Sequence, residues 1–276
     1  MNNGCISLEA TMCDSIHGEF ALDNGMGISL LDSTFFYSKF DTSKFILKKD
    51  NSYDYFKFQV YYGEIPVYIG EHKFIIIEFR VKNCRDLGIP DLNGIIGAEA
   101  FISKITVVDF ETQNISFMDS LSVDSLYEKI PMHSPMDRSN GHSKFVDITF
   151  YNNNKEAING FIQFDLGLNG TELQCNQSFA KQIAKTEKHV TGNIHTPTQK
   201  NKVQFWNINS LKLGKYYIHN IELVTSYIEM NGKLEDPMLM FKEGDGCFGL
   251  EFIKRFNLIV DYKTDFLYLK PNKYFD

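Results

Sequence analysis

Two aspartates stand in short motifs that occur twice in the chain. Gly18-Glu-Phe20-Ala-Leu22-Asp23-Asn24-Gly25 matches Gly160-Phe-Ile162-Gln-Phe164-Asp165-Leu166-Gly167, with glycine, two apolar residues, aspartate and glycine in step at an offset of 142. Each copy thus delivers one carboxylate on an apolar stem. Brought together across a pseudo-two-fold axis, two carboxylates a few ångströms apart cannot both ionise easily, so they share a proton and titrate as a unit. The ionised member can then deprotonate a water while the protonated one donates to a carbonyl oxygen, which is general acid and base chemistry. The glycine after each aspartate lets the two loop backbones approach without a Cβ clash. A single copy could not do this.

The elements that must position the pair repeat as well. Val67-Tyr-Ile69-Gly70 matches Leu211-Lys-Leu213-Gly214 at an offset of 144. Ile96-Gly97-Ala-Glu99 and Val107-Val108-Asp109-Phe110 match Phe248-Gly249-Leu-Glu251 and Ile259-Val260-Asp261-Tyr262 at an offset of 152. Offsets that rise in order along the chain are those of two copies of one unit that differ by small loop insertions. The lobes expected are 1–118 and 144–276. Residues 119–143, rich in Ser, Pro, Asn and Gly, read as a linker. Each lobe reads as mostly β, because alternating and β-rich runs such as Phe56–Tyr62, Ile65–Ile69 and Phe74–Val81 predominate, and the 24 Phe and 14 Tyr suit half-buried pleated surfaces. One short helix per lobe is expected, at Asp32–Phe40 and at Asn176–Thr186, the second with Phe179, Ala180, Ile183 and Ala184 on one face.

Composition narrows the function classes. With 276 residues, 43% apolar, and a net charge of −7, the chain suits a packed globular protein and lacks the basic face of a phosphate-backbone binder. No run approaches the ~18 apolar residues of a membrane span. Five scattered cysteines, Cys5, Cys13, Cys84, Cys175 and Cys247, form no CxxC pair and read as buried free thiols. The seven histidines show no ligand spacing, and neither a GxSxG elbow nor a phosphate or dinucleotide loop is present, so no metal or cofactor is expected. Residues Met1–Ala10 have neither a basic nor an apolar region of a signal peptide, which leaves localisation open.

The paired motifs, with their later apolar-apolar-Gly elements Ile95-Ile96-Gly97 and Cys247-Phe248-Gly249, resemble the pepsin/retropepsin-like aspartic proteases. The closing stretch from Phe256 to Pro271 resembles the final strands of two-lobed, retropepsin-like bacterial members. The resemblance implies two pseudo-symmetric acid-protease-like β-barrel lobes, Asp23 and Asp165 as the catalytic pair, and an extended peptide or unfolded protein as substrate. It further implies Gly25 and Gly167 against the substrate, and a β-hairpin flap near Tyr61, Tyr62 and Gly63. A monomer is expected, since one chain already holds both loops. Asn24 and Leu166 stand where the family has Thr or Ser, whose hydroxyl bonds across to the opposite loop; Asn can make such a contact and Leu cannot. Two readings therefore stand side by side, an aspartic endopeptidase and a non-catalytic relative that binds an extended peptide or another ligand in the cleft.

The remaining carboxylates have plainer readings. Asp109 and Asp261 each follow a strand and precede a polar turn, where Asp caps its own backbone. Glu99 and Glu251 read as solvated or capping groups, and Trp206 as a core residue.

Overall fold

A computed structural model describes residues 5–48, 58–134, 143–152, 154–184, 190–196, 199–230, 233–235 and 244–275. The chain is mostly β and forms two closed six-stranded barrels. The first contains β1 (Ser7–Met12), β2 (Ile16–Leu22), β3 (Leu30–Asp32), β5 (Gln59–Ile69), β6 (His72–Lys82) and β7 (Gly94–Ile96), with the short β4 (Ile46–Lys48) added on β5. Pairing runs β1-β2-β7-β3-β6-β5 and closes through β1–β5. The second barrel repeats that order with β11 (Phe145–Tyr151), β12 (Ala157–Phe164), β13 (Leu173–Cys175), β15 (Gln199–Leu213), β16 (Tyr216–Met230) and β18 (Gly246–Phe248). There β14 (Val190–Thr196) flanks β15, and β17 (Lys233–Glu235) flanks β16.

The repeat seen in the sequence is a repeat of strand register. Leu22 pairs in parallel with Ile96, and Phe164 pairs in parallel with Phe248. Hairpin β5–β6 turns at Gly70 and β15–β16 at Gly214, the positions matched at an offset of 144. One core cluster runs through both lobes, with Phe20, Phe36, Phe79 and Phe101 in the first and Phe150, Phe248 and Phe252 in the second.

A third, five-stranded sheet joins the lobes in the order β10-β20-β19-β8-β9. It is built from β8 (Ile105–Asp109), β9 (Asn114–Met118), β10 (Glu128–Pro131), β19 (Phe256–Asp261) and β20 (Phe266–Pro271). At its centre β8 and β19 run antiparallel, and Val107 faces Ile259, its own match in the repeat. The segment 119–143 is therefore more than a connector. Its Glu128–Pro131 stretch pairs with Phe266–Leu269, burying Ile130 where the alternation of a four-residue strand is too brief to stand out from its turn-rich surroundings.

Both expected helices form where their caps specify. Helix α1 (Ser33–Lys39) starts at Asp32, whose side chain accepts from Phe35 N, and α3 (Gln177–Ile183) starts at Asn176, whose side chain accepts from Phe179 N. Residues 185 and 186 of the second expectation, and 56 and 57 of the alternating run, lie outside the described residues. Two further single-turn helices, α2 (Glu99–Ile102) and α4 (Leu250–Ile253), follow Gly97 and Gly249 and insert Phe101 and Phe252 into the core. Among the described residues no helix is long and apolar enough to cross a membrane.

Candidate active site

Strands β2 and β12 end at the two aspartates, and matching backbone bonds fix the loops that follow. Asp23 N donates to Ile96 O and Asp165 N to Phe248 O, both at 2.9 Å. Three residues on, Met26 O accepts from Ala98 N and Leu168 O from Leu250 N, both at 2.8 Å. Each loop is thus stitched to the strand and helical turn that pass behind it, β7 with α2 in one lobe and β18 with α4 in the other.

The two carboxyl groups meet and are hydrogen-bonded to each other. Each glycine lies against the opposite carboxylate. A Cβ on Gly25 would come within 2.5 Å of Asp165 Oδ2, and one on Gly167 would overlap the Asp23 carboxyl carbon, so only glycine fits at either place. Asp23 Oδ1 accepts from Gly25 N at 2.8 Å and Met26 N at 2.9 Å; Asp165 Oδ1 accepts from Gly167 N at 2.8 Å. Both side chains keep some solvent contact while surrounded by protein.

Their protonation follows from that setting. Burial raises the pKa of Asp23, opposed by its two backbone donors and the bond to Asp165. Burial raises Asp165 further, well above the usual carboxylate range, and the Asp23 charge adds to it. Two carboxyls so placed titrate as a coupled pair, both raised, with the larger rise on Asp165.

Asn24 braces the pair. It is only 5% exposed; its Nδ2 donates to Phe164 O at 2.8 Å and to the Tyr262 hydroxyl at 3.2 Å, and its Oδ1 accepts from Leu166 N at 2.8 Å. One amide, carrying both donor and acceptor, therefore grips the opposite loop from both sides of Asp165. Leu166, 1% exposed, is a core residue and returns no side-chain bond. Tyr262 is a site residue that the sequence reading passed over. Burial pushes its hydroxyl up to about 12, so it stays neutral. Its position one residue after the repeated Asp261 was visible, but not its reach to Asn24.

Tyr61 and Tyr62, expected near a flap, stand on the β5 arm of the β4–β5 pair, opposite Leu47 and Ile46. Tyr61 and Tyr62 lie inside β5, opposite Phe79 and Glu78, and not at a hairpin tip. Tyr61 is buried, its ring 5.0 Å from Phe36, with its hydroxyl 3.0 Å from that of Tyr37. Gly63 sits where the β5–β6 register shifts, and a Cβ there would strike the Phe45 ring at 2.5 Å. Gly63 and Glu64 form a bulge within β5 and no turn. The connection between β4 and β5, residues 49–57, lies outside the described residues.

The other groups separate into two kinds. Asp109 caps Glu111 N and Thr112 N, Asp261 caps Lys263 N and Thr264 N, and Trp206 is buried, as their turn and core readings require. Glu251 is exposed and paired with Lys254. Glu99 is partly buried and, beyond its own helical turn, receives Ser29 N and Ser29 Oγ, both at 3.0 Å. The five cysteines are thiols outside any disulfide, four of them buried. No protein-family model matches the chain, and no curated protein does.

Proposed function

We propose that the chain is an aspartic-type endopeptidase that hydrolyses extended peptide segments between its two lobes. The observation that carries this reading is the proton-sharing pair of Asp23 and Asp165, each pressed against the glycine of the other loop. Asp23, with two backbone donors on one oxygen, is the ionised base; Asp165 is the acid. Asp23 takes a proton from a water as the water oxygen attacks the peptide carbonyl, while Asp165 gives its proton to the carbonyl oxygen. The tetrahedral diol then collapses: Asp23 passes its proton to the amide nitrogen, Asp165 takes one from a diol hydroxyl as the C–N bond breaks, and acid and amine leave with the pair back in its single-proton state. Because burial raises both carboxyls, the working range extends upward from strong acid towards neutrality.

The test is hydrolysis of an unstructured protein between about pH 3 and 7, the range such a pair serves, followed by mass spectrometry. Cleavage that is inhibited by a statine-type mimic and lost in both Asp23→Asn and Asp165→Asn is the expected result. Absence of cleavage over the whole range refutes the reading. One observation favours the second reading, a cleft that only binds: the cross-loop bracing comes from Asn24 alone, since Leu166 contributes none. That reading requires saturable peptide binding that survives both Asp→Asn substitutions.

A further inference from the structure

Resting on the endopeptidase reading, we propose that Glu99 is a positioning residue for Asp23, clamping the Asp23 loop through Ser29 in a way that lobe two does not copy. Both carboxylate oxygens of Glu99 are engaged by Ser29, one by its backbone N and the other by its hydroxyl. The same hydroxyl accepts from Gly97 N at 2.9 Å, and the next residue, Ala98, holds Met26 O. Met26 N in turn donates to Asp23 Oδ1. The path from Glu99 to the base is therefore a short run of hydrogen bonds through Ser29, Gly97, Ala98 and Met26. There is no slack along it: a Cβ on Gly97 would lie 2.6 Å from Met26 O and 2.8 Å from Glu99 Oε2. In lobe two the matching backbone bonds persist, but Glu251 faces solvent.

The clamp is also titratable. Burial raises Glu99, opposed by the Ser29 donors, by its own backbone N–H and by the Arg80 charge on β6. Protonated, Glu99 gives up one of its two acceptor oxygens and the clamp on Ser29 weakens.

Hydrolysis and a carboxyl NMR titration of Asp23 are to be followed in Glu99→Ala, Glu99→Gln, Ser29→Ala and Glu251→Ala, each checked for folding by circular dichroism. Expected for Glu99→Ala is a fall in kcat of about 10- to 100-fold with KM little changed, the scale on which small misplacements act. Glu99→Gln, which keeps an acceptor for Ser29 N, restores most of kcat but removes one protonation step from the acid limb. The Asp23 titration moves upward in Glu99→Ala and in Ser29→Ala, returns in Glu99→Gln, and stays put in Glu251→Ala. Equal behaviour of Glu99→Ala and Glu251→Ala in both measurements overturns the proposal. If the parent chain cleaves nothing, the endopeptidase reading falls, and the Asp23 titration alone still decides the role of Glu99.

Discussion

Asn24 is the residue whose removal tests the bracing most directly. Asn24→Ala strips the partners from Phe164 O and Leu166 N, two buried backbone groups, and from the Tyr262 hydroxyl. An orphaned buried polar group costs about 1–3 kcal/mol, which puts the two backbone groups at roughly 2–6 kcal/mol. A cavity of about 10 Å³ already borders Asn24, Phe164, Leu166 and Tyr262. Enlarged by the lost amide, it holds a water that recovers part of this, so the expected loss is about 2–4 kcal/mol. For a chain of this size that lowers Tm by roughly 5–15 °C. Asn24→Thr, whose hydroxyl can accept from Leu166 N and donate to Phe164 O, should lose only about 1 kcal/mol. The assay is urea unfolding followed by two probes. Trp206 fluorescence reports on lobe two, and far-ultraviolet circular dichroism on both lobes. In the parent the two curves coincide; in Asn24→Ala they separate, because a link between the lobes is gone. Coincident curves with less than 1 kcal/mol lost in Asn24→Ala would refute the bracing argument.

Other measurements probe the charged and reactive groups. Asp165 has a native pKa above its unfolded value, so the native state binds the extra proton and stability falls as pH rises through that window; Asp165→Asn should raise Tm at pH 7 more than at pH 4, while abolishing cleavage. His72 is 5% exposed, its ring 4.4 Å from that of Phe117, with Nε2 bonded to Ala100 O and Nδ1 unpartnered. Burial lowers its pKa, helped by Lys104 and opposed by the Ala100 carbonyl and Asp119, so stability is lost as pH falls from the unfolded value of 6.5 towards the native one. His72→Phe should flatten that part of the pH–Tm curve, and an unchanged slope would count against it. Of the thiols, Cys13 alone is half-exposed, whereas burial pushes Cys84 up to about 12; native protein should release one fast equivalent to a thiol reagent at pH 8, and the other four only in denaturant.

Much of the architecture was legible because it is written twice. The offset of 142 relates β2 to β12 and that of 152 relates β7 to β18, and both parallel pairs keep one register, Leu22 with Ile96 and Phe164 with Phe248, since a slipped strand would turn its core residues outward. Asp32 and Asn176 marked their helices because a cap is a local bond. What escaped were features set by partners far along the chain. Gly63 lies in a bulge against the Phe45 ring, and Glu99 reaches Ser29, 70 residues away. Asn24 makes the cross-loop contact that the resemblance leaves open to it, and only its partner, Leu166 N 142 positions away, is added by the fold. Neither the type of these residues nor their neighbours encodes the contact, although an amide after a site aspartate has the donor and acceptor such a bridge needs.

The pairing of Val107 with Ile259 places the symmetry axis on the middle of the shared sheet. An edge that meets its own equivalent across a two-fold is self-complementary, which is the geometry of an isologous homodimer. The covalent link between the halves therefore sets their local concentration more than their fit. A chain nicked between residues 135 and 142 should stay assembled, and two halves made separately should find each other in solution.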